Sequence, residues 1–308
     1  MLEVRQLQPE DIGEVVARIE RRLIEDAAAR DGINPVISRH ELADTLRSAA
    51  TITSTARREG RVVGHLFGAL LESAADGPAV WTGPDGVSFD DGEVLDDLLA
   101  HAATTWIRAG ATGHFVWVLD DVSATAPWYQ RGYERVHVRG VLALSERHRA
   151  LPDGYRLRRG TLDDLDVALV LDDELDRAEG EHPRSAVELA TSIQRAEWTE
   201  TLSDPETCHY IVEVIGRPVA QCVTFPQPEQ RGSFERTIHL SGVVVVDEHR
   251  RLGVATAMID AALNDAMALG YQYGETAWRA TNRTAARYWT RYGFTSTYAR
   301  LHRTIETV

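Results

Sequence analysis

The hydrophobic pattern changes period repeatedly along the chain, and the whole series occurs twice. LEVRQLQPEDIGEVV (2–16) and YRLRRGTLDDLDVAL (155–169) each read as a short strand, a turn and a helix opened by acidic residues. REGRVVGHLFGALL (58–71) and VIGRPVAQCVTFPQ (214–227) each read as a strand, a turn at a Gly-Arg pair and a second apolar strand. VLDDLLAHAATTWIRAG (94–110) and AMIDAALNDAMALG (257–270) carry apolar residues at helical spacing and end on a glycine, as a C-cap requires. HFVWVLDD (114–121) pairs with YGETAWRAT (273–281), a strand each. WYQRGYERVHVRGVLAL (128–144) pairs with YWTRYGFTSTYARLHRTI (288–305): a short helix, a glycine with an aromatic, and a closing strand.

A period of about 155 residues is too long for a solenoid and predicts two copies of one domain. Residues 1–144 form the first copy and 155–308 the second. SERHRALPDG (145–154), polar with Pro and Gly, is the linker. Each copy reads β-α-(α)-β-β-β-α-β-α-β, an α/β fold with a central mixed sheet flanked by helices.

Composition narrows the class. The 308 residues are 44% apolar and 26% charged, the balance of a globular chain, and no apolar run approaches the length of a membrane span. The opening residues lack the apolar stretch of a secretory signal, and Cys208 and Cys222 cannot build a disulfide framework. A cytoplasmic setting without a membrane partner is the expectation. The net charge of −14 argues against a nucleic-acid partner. It is unevenly spread. Residues 1–248 hold 43 acids against 25 arginines, net −18; residues 249–308 hold 4 against 8, net +4. A compact polyanion is expected at the basic end and a cation elsewhere. All 33 basic residues are Arg, which removes lysine from the chemistry.

The informative stretch is 239–270. An apolar strand over 240–246 enters the turn DEHRRLGVA and then a long helix, with Arg250-x-x-Gly253-x-Ala255 in the turn. Taken alone, the turn has two readings. Its small residues allow tight strand–helix packing, or they let backbone N–H groups at a helix start face a phosphate. Neither a Walker loop nor a G-x-G-x-x-G fingerprint is present.

This turn resembles the acetyl-CoA signature of the GCN5-related N-acetyltransferase (GNAT) superfamily, Arg/Gln-x-x-Gly-x-Gly/Ala after a strand. Asn282-x-x-Ala285-x-x-Tyr288-Trp289-x-x-x-Gly293-Phe294 resembles the second signature, N-x-x-A-x-x-L-Y-x-x-x-G-F. The resemblance covers 155–308 in motif and 1–144 in architecture alone, and implies a tandem member. It implies acetyl-CoA as co-substrate, with no metal, and direct attack of an amine in a ternary complex. Main-chain groups of Val243, Val244, Val245 and Val246 would meet the pantetheine arm. Arg250, Arg251, Leu252, Gly253, Val254, Ala255 and Thr256 would form the pyrophosphate turn. Asn282 and Trp289 would lie along the cofactor.

The chain departs from the family at Trp289, where the usual thiolate acid is a tyrosine; indole supplies no proton. Tyr288 and Tyr292 flank it and are the candidate acids. His239 is the candidate base. Period 2 puts it on one strand face with Ser241, Val243 and Val245, and an imidazole suits an amine's proton. Glu275 on the neighbouring strand is the second candidate. Cys222 reads as core.

In the first copy the corresponding turn falls near 85–97. That window holds Asp85, Asp90, Asp91, Glu93, Asp96 and Asp97 and no base. It would repel a pyrophosphate, so this copy is expected to be silent. The acids of 171–185, Asp172, Asp173, Glu174, Asp176, Glu179 and Glu181, would form a rim drawing in a cationic small-molecule amine. Acetyl transfer to such an amine is the expected activity, by a monomer or homodimer. A peptide or protein amine and a non-catalytic acyl-CoA-binding module are the alternatives.

Overall fold

The computed structural model describes residues 1–305 apart from 36–37, 49–50, 74–76, 181–190 and 228–231. The chain divides into two compact units. The first comprises Met1–Val138, Gln230–Ser233 and Thr297–Val308; the second comprises Arg139–Glu229 and Phe234–Ser296.

The first unit runs β1 (Leu2–Arg5), α1 (Ile12–Ala29), α2 (Arg39–Arg47), β2 (Thr51–Arg58), β3 (Arg61–Ser73), β4 (Gly77–Thr82), β5 (Val87–Phe89), α3 (Gly92–Arg108), β6 (Gly113–Leu119), α4 (Val122–Tyr129) and the start of β7 (Glu134–Ala143). The second runs from the end of β7 through β8 (Tyr155–Arg159), α5 (Leu165–Gly180), α6 (Thr191–Ser203), β9 (Cys208–Val214), β10 (Arg217–Pro226), β11 (Thr237–Val245), α7 (Val254–Ala268), β12 (Tyr273–Arg279), α8 (Arg283–Tyr292) and the first residues of β13 (Thr295–Thr304). The element order matches the repeat. β5 is additional: it pairs with β3 inside the window read as the first copy's phosphate turn.

Each unit holds a mixed sheet. In the first the order is β1-β2-β3-β4-β6-β13, and in the second β8-β9-β10-β11-β12-β7. β1 to β4, β6 with β13, and β8 to β11 pair antiparallel, whereas β4 with β6 and β11 with β12 are parallel. The closing strands do not stay with the copies that sequence order gives them. Thr297–Thr304 of β13 lies in the first unit, antiparallel to β6 from Tyr298↔Leu119 to Thr304↔Gly113. Residues 139–143 of β7 lie in the second unit beside β12.

Periodicity explains the cores. α1 buries Ile12, Val15, Val16, Ile19 and Leu23, spaced three or four apart, against Leu42, Leu46, Val62 and Phe67. α3 buries Val94, Leu95, Leu98, Leu99, Ala102 and Trp106 against the first sheet. α7 is apolar round most of its surface and buries Val254, Ala257, Met258, Ile259, Ala262, Leu263 and Ala266. Cys222 is fully buried, as expected of a core thiol, and burial pushes its pKa up. No helix among the described residues is long and apolar enough to cross a membrane.

Candidate functional site

Two local irregularities open the second sheet. β11 and β12 pair only through Thr237↔Tyr273, Ile238↔Gly274 and His239↔Glu275, although β11 continues to Val245 and β12 to Arg279. The strands therefore part beyond His239. Thr276 Oγ1 closes the fork by donating to the Leu240 carbonyl at 2.9 Å. On its other side β11 slips against β10: Gln221 faces Val244 and Val223 faces Ser241, so one extra residue is accommodated. Gly242 carries the kink at φ +59°, a backbone region glycine enters at little cost. A fork and a bulge leave Ser241, Gly242 and Val243 half-exposed in mid-sheet.

The bulge corrects one expectation. Alternation holds for His239, Ser241 and Val243, which are half-exposed. It fails at Val245, because the extra residue changes the phase and both Val244 and Val245 are buried.

Beyond β11 the chain makes a 3-10 turn, 247–249, and reaches α7. Arg250 turns back on this segment. Its Nε donates to the Val245 carbonyl at 2.9 Å and its guanidinium pairs with Asp247 at 2.6 Å, so much of its charge is spent locally. Arg251 adopts φ +62° and Gly253, the N-cap residue, φ +91°. No described side chain caps α7, so the N–H groups of Val254, Ala255 and Thr256 point out of the helix without intrahelical partners. A positive dipole end and open donors suit an anion there.

A cation that the sequence reading missed stands beside them. A Cβ on Gly253 would lie 3.6 Å from Arg149 Cδ and 3.9 Å from Arg149 Nη1. Arg149 comes from the polar linker, and only folding brings it to the turn.

The first unit is built differently at the same place. The N-cap of α3 is Asp91, whose carboxylate accepts from Val94 N–H at 3.0 Å. Arg58 pairs with Asp91 and Glu93, both at 2.9 Å, and Arg131 with Asp96 at 2.6 Å. β4 and β6 stay in register from Ala79↔Gly113 to Thr82↔Val116, where β4 ends. An open groove of about 840 Å³ lies in this unit beside Trp106, Tyr133, His302 and Arg303.

α8 is capped by Asn282, whose side chain accepts from Ala285 N–H at 2.9 Å. Its aromatics separate into different roles. Trp289 is 5% exposed, enclosed by Tyr288, Tyr292 and Phe294 with ring centroids 5.1–6.5 Å away. The indole packs in the core of the second unit. Tyr292 is also buried. Its hydroxyl donates to Asp260 Oδ1 at 2.6 Å, Arg147 lies 4.7 Å over its ring, and burial raises its pKa far above the ordinary value. A phenol so committed is withdrawn from the candidate acids. Tyr288 is half-buried, its hydroxyl 3.3 Å from Thr256 Oγ1 in the first turn of α7, and burial pushes its pKa up to about 12. It keeps its proton at neutral pH.

His239 lies on the fork with its side chain 18% exposed. Its Nδ1 is 3.7 Å from Glu275 Oε1, and Phe225 stacks obliquely on its ring at 5.0 Å. Glu275 is 2% exposed, and Arg139 Nε approaches the same carboxylate oxygen at 3.7 Å.

Much of the acidic stretch is already engaged. Trp198 Nε1 donates to Asp172 at 2.9 Å, Arg177 pairs with Glu174 at 2.5 Å, and Gln194 donates to Asp176 at 3.3 Å. Asp173 is exposed. The Glu179 side chain and Glu181 lie outside the described residues.

Residues 169–294 match the model of the Acetyltransferase (GNAT) family, a span running from α5 through both signatures. Over this span the chain is similar to the GNAT family. Solved GNAT structures resemble the whole chain. A tandem GNAT protein from the clavulanic acid biosynthesis pathway superposes with a TM-score of 0.55 at 18% identity, covering 100% of both chains. A GCN5-related N-acetyltransferase from Sphaerobacter thermophilus gives 0.64 at 18% identity, over 99% of this chain and 96% of that one. A glucosamine N-acetyltransferase region of a fungal multi-domain β-N-acetylglucosaminidase gives 0.59 at 14% identity, over 98% of this chain and 38% of that one. At these identities the likeness is one of fold, and the fold is a tandem GNAT fold. Among curated proteins no sequence matches significantly.

Proposed function

We propose that the protein is an acetyl-CoA-dependent N-acetyltransferase that binds its co-substrate in the second unit only and acetylates a small-molecule amine by direct attack. One observation carries the reading. The second unit pairs an opened parallel fork with an uncapped helix N-terminus, and the first unit has neither at the corresponding strand pair and helix. An anionic pyrophosphate fits the α7 turn because Gly253 leaves it open to donors and Arg149 and Arg251 add positive charge. Acetyl-CoA supplies an activated thioester.

The chain's own groups do the rest. Main-chain groups of Gly242 to Val245, on the edge that β12 leaves, hydrogen-bond the pantetheine arm. Asn282 and the exposed side of α8 border it. An aliphatic amine is protonated in neutral water and must lose a proton before it attacks. His239, half-exposed on the fork, takes that proton. Tyr288 is the remaining phenol placed to protonate the departing thiolate, and it stays neutral over the physiological range. Asp173 and the partly engaged Asp176 contribute a negative field that favours a cationic acceptor.

The test is thiol release from acetyl-CoA over a panel of amines matched in size but differing in charge. Turnover should be fastest with cationic amines. His239→Ala should lower kcat by about 10²–10⁴ with little change in CoA affinity. The loss should shrink at high pH, where the amine is already neutral. Tight CoA binding without turnover of any amine would point to an acyl-CoA-binding module instead.

A further inference from the structure

The triad on the fork has a counterpart that explains it. Glu275 lies five residues after Gly270, which follows α7, and Phe115 lies five after Gly110, which follows α3. The parallel registers set His239 opposite Glu275 and Trp81 opposite Phe115. Arg139 and Arg300 each lie seven residues beyond an equivalent glycine, Gly132 and Gly293. The three positions therefore repeat as Trp81, Phe115 and Arg300 in the first unit and His239, Glu275 and Arg139 in the second.

In the first unit they make a packing cluster. Trp81 stacks on Phe115 at 4.3 Å, and Arg300 lies 4.9 Å and 5.2 Å over the two rings. Aromatics thus satisfy the fold at these positions. In the second unit the same places hold a carboxylate and a guanidinium, 2% and 4% exposed, beside an imidazole. Burying two charges costs several kcal/mol unless they are paired, and apolar replacements often serve the fold equally well. The first unit makes that replacement at the carboxylate and imidazole positions, with Phe115 and Trp81, and keeps its arginine stacked on their rings. Packing alone therefore does not account for Glu275.

We propose that Glu275, held by Arg139, is a positioning residue that fixes His239 as the Nδ1–H tautomer and turns the Nε2 lone pair toward the acceptor. Nδ1 is the buried ring nitrogen. It has no hydrogen-bond partner among the described residues, and the Glu275 carboxylate is 3.7 Å from it. Such contacts are commonly long before substrate binds and tighten in the complex. An acceptor beside Nδ1 makes it the protonated nitrogen, as a carboxylate does for a catalytic or metal-binding histidine. When Nε2 takes the amine's proton, Nδ1 keeps its own. Glu275 stays ionised and balances the imidazolium, whose added proton leaves to solvent after transfer. The inference rests on His239 being the base, and its test does not need turnover.

The experiment compares wild type with Arg139→Met/Glu275→Met. The pair is removed together so that no buried charge is left alone. Long-range ¹H–¹⁵N spectra of ¹⁵N-histidine-labelled protein report the tautomer of each neutral ring, and His239→Gln assigns its signal among the 11 histidines. Wild type should show Nδ1–H for His239. The double variant should revert to Nε2–H, which free imidazole side chains prefer. Its kcat should fall about 10–100-fold with acceptor KM and CoA affinity unchanged. Nε2–H in wild type, or the same tautomer in both proteins, would overturn the assignment. Nδ1–H in a wild type that acetylates no amine would uphold it and reject the proposed function.

Discussion

Asp91 and Gly253 occupy the same place in the two copies and treat it in opposite ways. Each is the N-cap of the helix that connects the two strands of its unit's parallel pair, closed in the first unit and opened in the second. Asp91 fills the helix start with its own carboxylate, held by Arg58. Gly253, at φ +91°, brings no side chain and leaves three N–H groups free to meet an outside anion. One residue type makes the helix end self-sufficient and the other makes it a receptor.

Arg149 should contribute to cofactor affinity although it lies in the linker. Its guanidinium borders Gly253 but is exposed, so its contribution is bounded by that of a surface ion contact, about 0.2–1 kcal/mol. Arg149→Ala should raise the CoA dissociation constant by up to about fivefold at low salt, and by less as salt screens the pair. Calorimetry at two ionic strengths checks this. An unchanged affinity at low salt would remove Arg149 from the site.

The two tyrosines of α8 should separate cleanly. Tyr288→Phe should lower kcat by roughly 10–10²-fold with stability retained, since its hydroxyl makes one weak contact at 3.3 Å. Tyr292→Phe should do the reverse. It leaves the buried Asp260 carboxyl without its donor, at a cost of about 1–3 kcal/mol in unfolding free energy, with kcat nearly unchanged. Denaturant titration and steady-state kinetics on both variants decide the matter; the opposite pattern would make Tyr292 the acid.

The repeat made most of this fold legible in advance. Periodicity, glycine stops and two spaced signatures give the element order, the tandem plan and the α7 turn. What was not legible depends on registers. The strand exchange that puts Thr297–Thr304 beside β6 leaves no mark in the sequence, because a closing strand reads the same whichever sheet receives it. The Gly242 bulge shifted Val245 into the core because one inserted residue reverses the alternation. Arg149 sits in a stretch whose composition says only linker. The pairing of Glu275 was not legible because a lone glutamate gives no sign of a buried arginine on a strand 136 positions earlier.

Acid should destabilise the first unit early. His65 and His114 are fully buried in it, and burial holds both at about 3 rather than 6.5. The unfolded chain therefore binds protons between pH 6.5 and 3 that the folded chain excludes. Stability falls as pH drops through that window, by about 1.4 kcal/mol per unit for each histidine. At pH 5 the two together cost on the order of 4 kcal/mol. Asp164, held at about 2 by Arg158, loses its contribution only as pH falls from about 4 toward 2. Denaturant unfolding at pH 7 and pH 5 should show the loss, and His65→Gln/His114→Gln should show much less of it. Equal wild-type stability at the two pH values would contradict the burial of these rings as neutral species.

The central claim is that one unit of the two binds the co-substrate, at the α7 turn. Calorimetric titration with CoA tests it most directly. Wild type should bind one equivalent per chain. Gly253→Asp should bind none, because an aspartate there meets strain at positive φ and sets a carboxylate against the pyrophosphate. Asp91→Ala should still bind one equivalent while losing about 1 kcal/mol of stability with its cap. Two equivalents in wild type, or one equivalent that survives Gly253→Asp, would contradict the account.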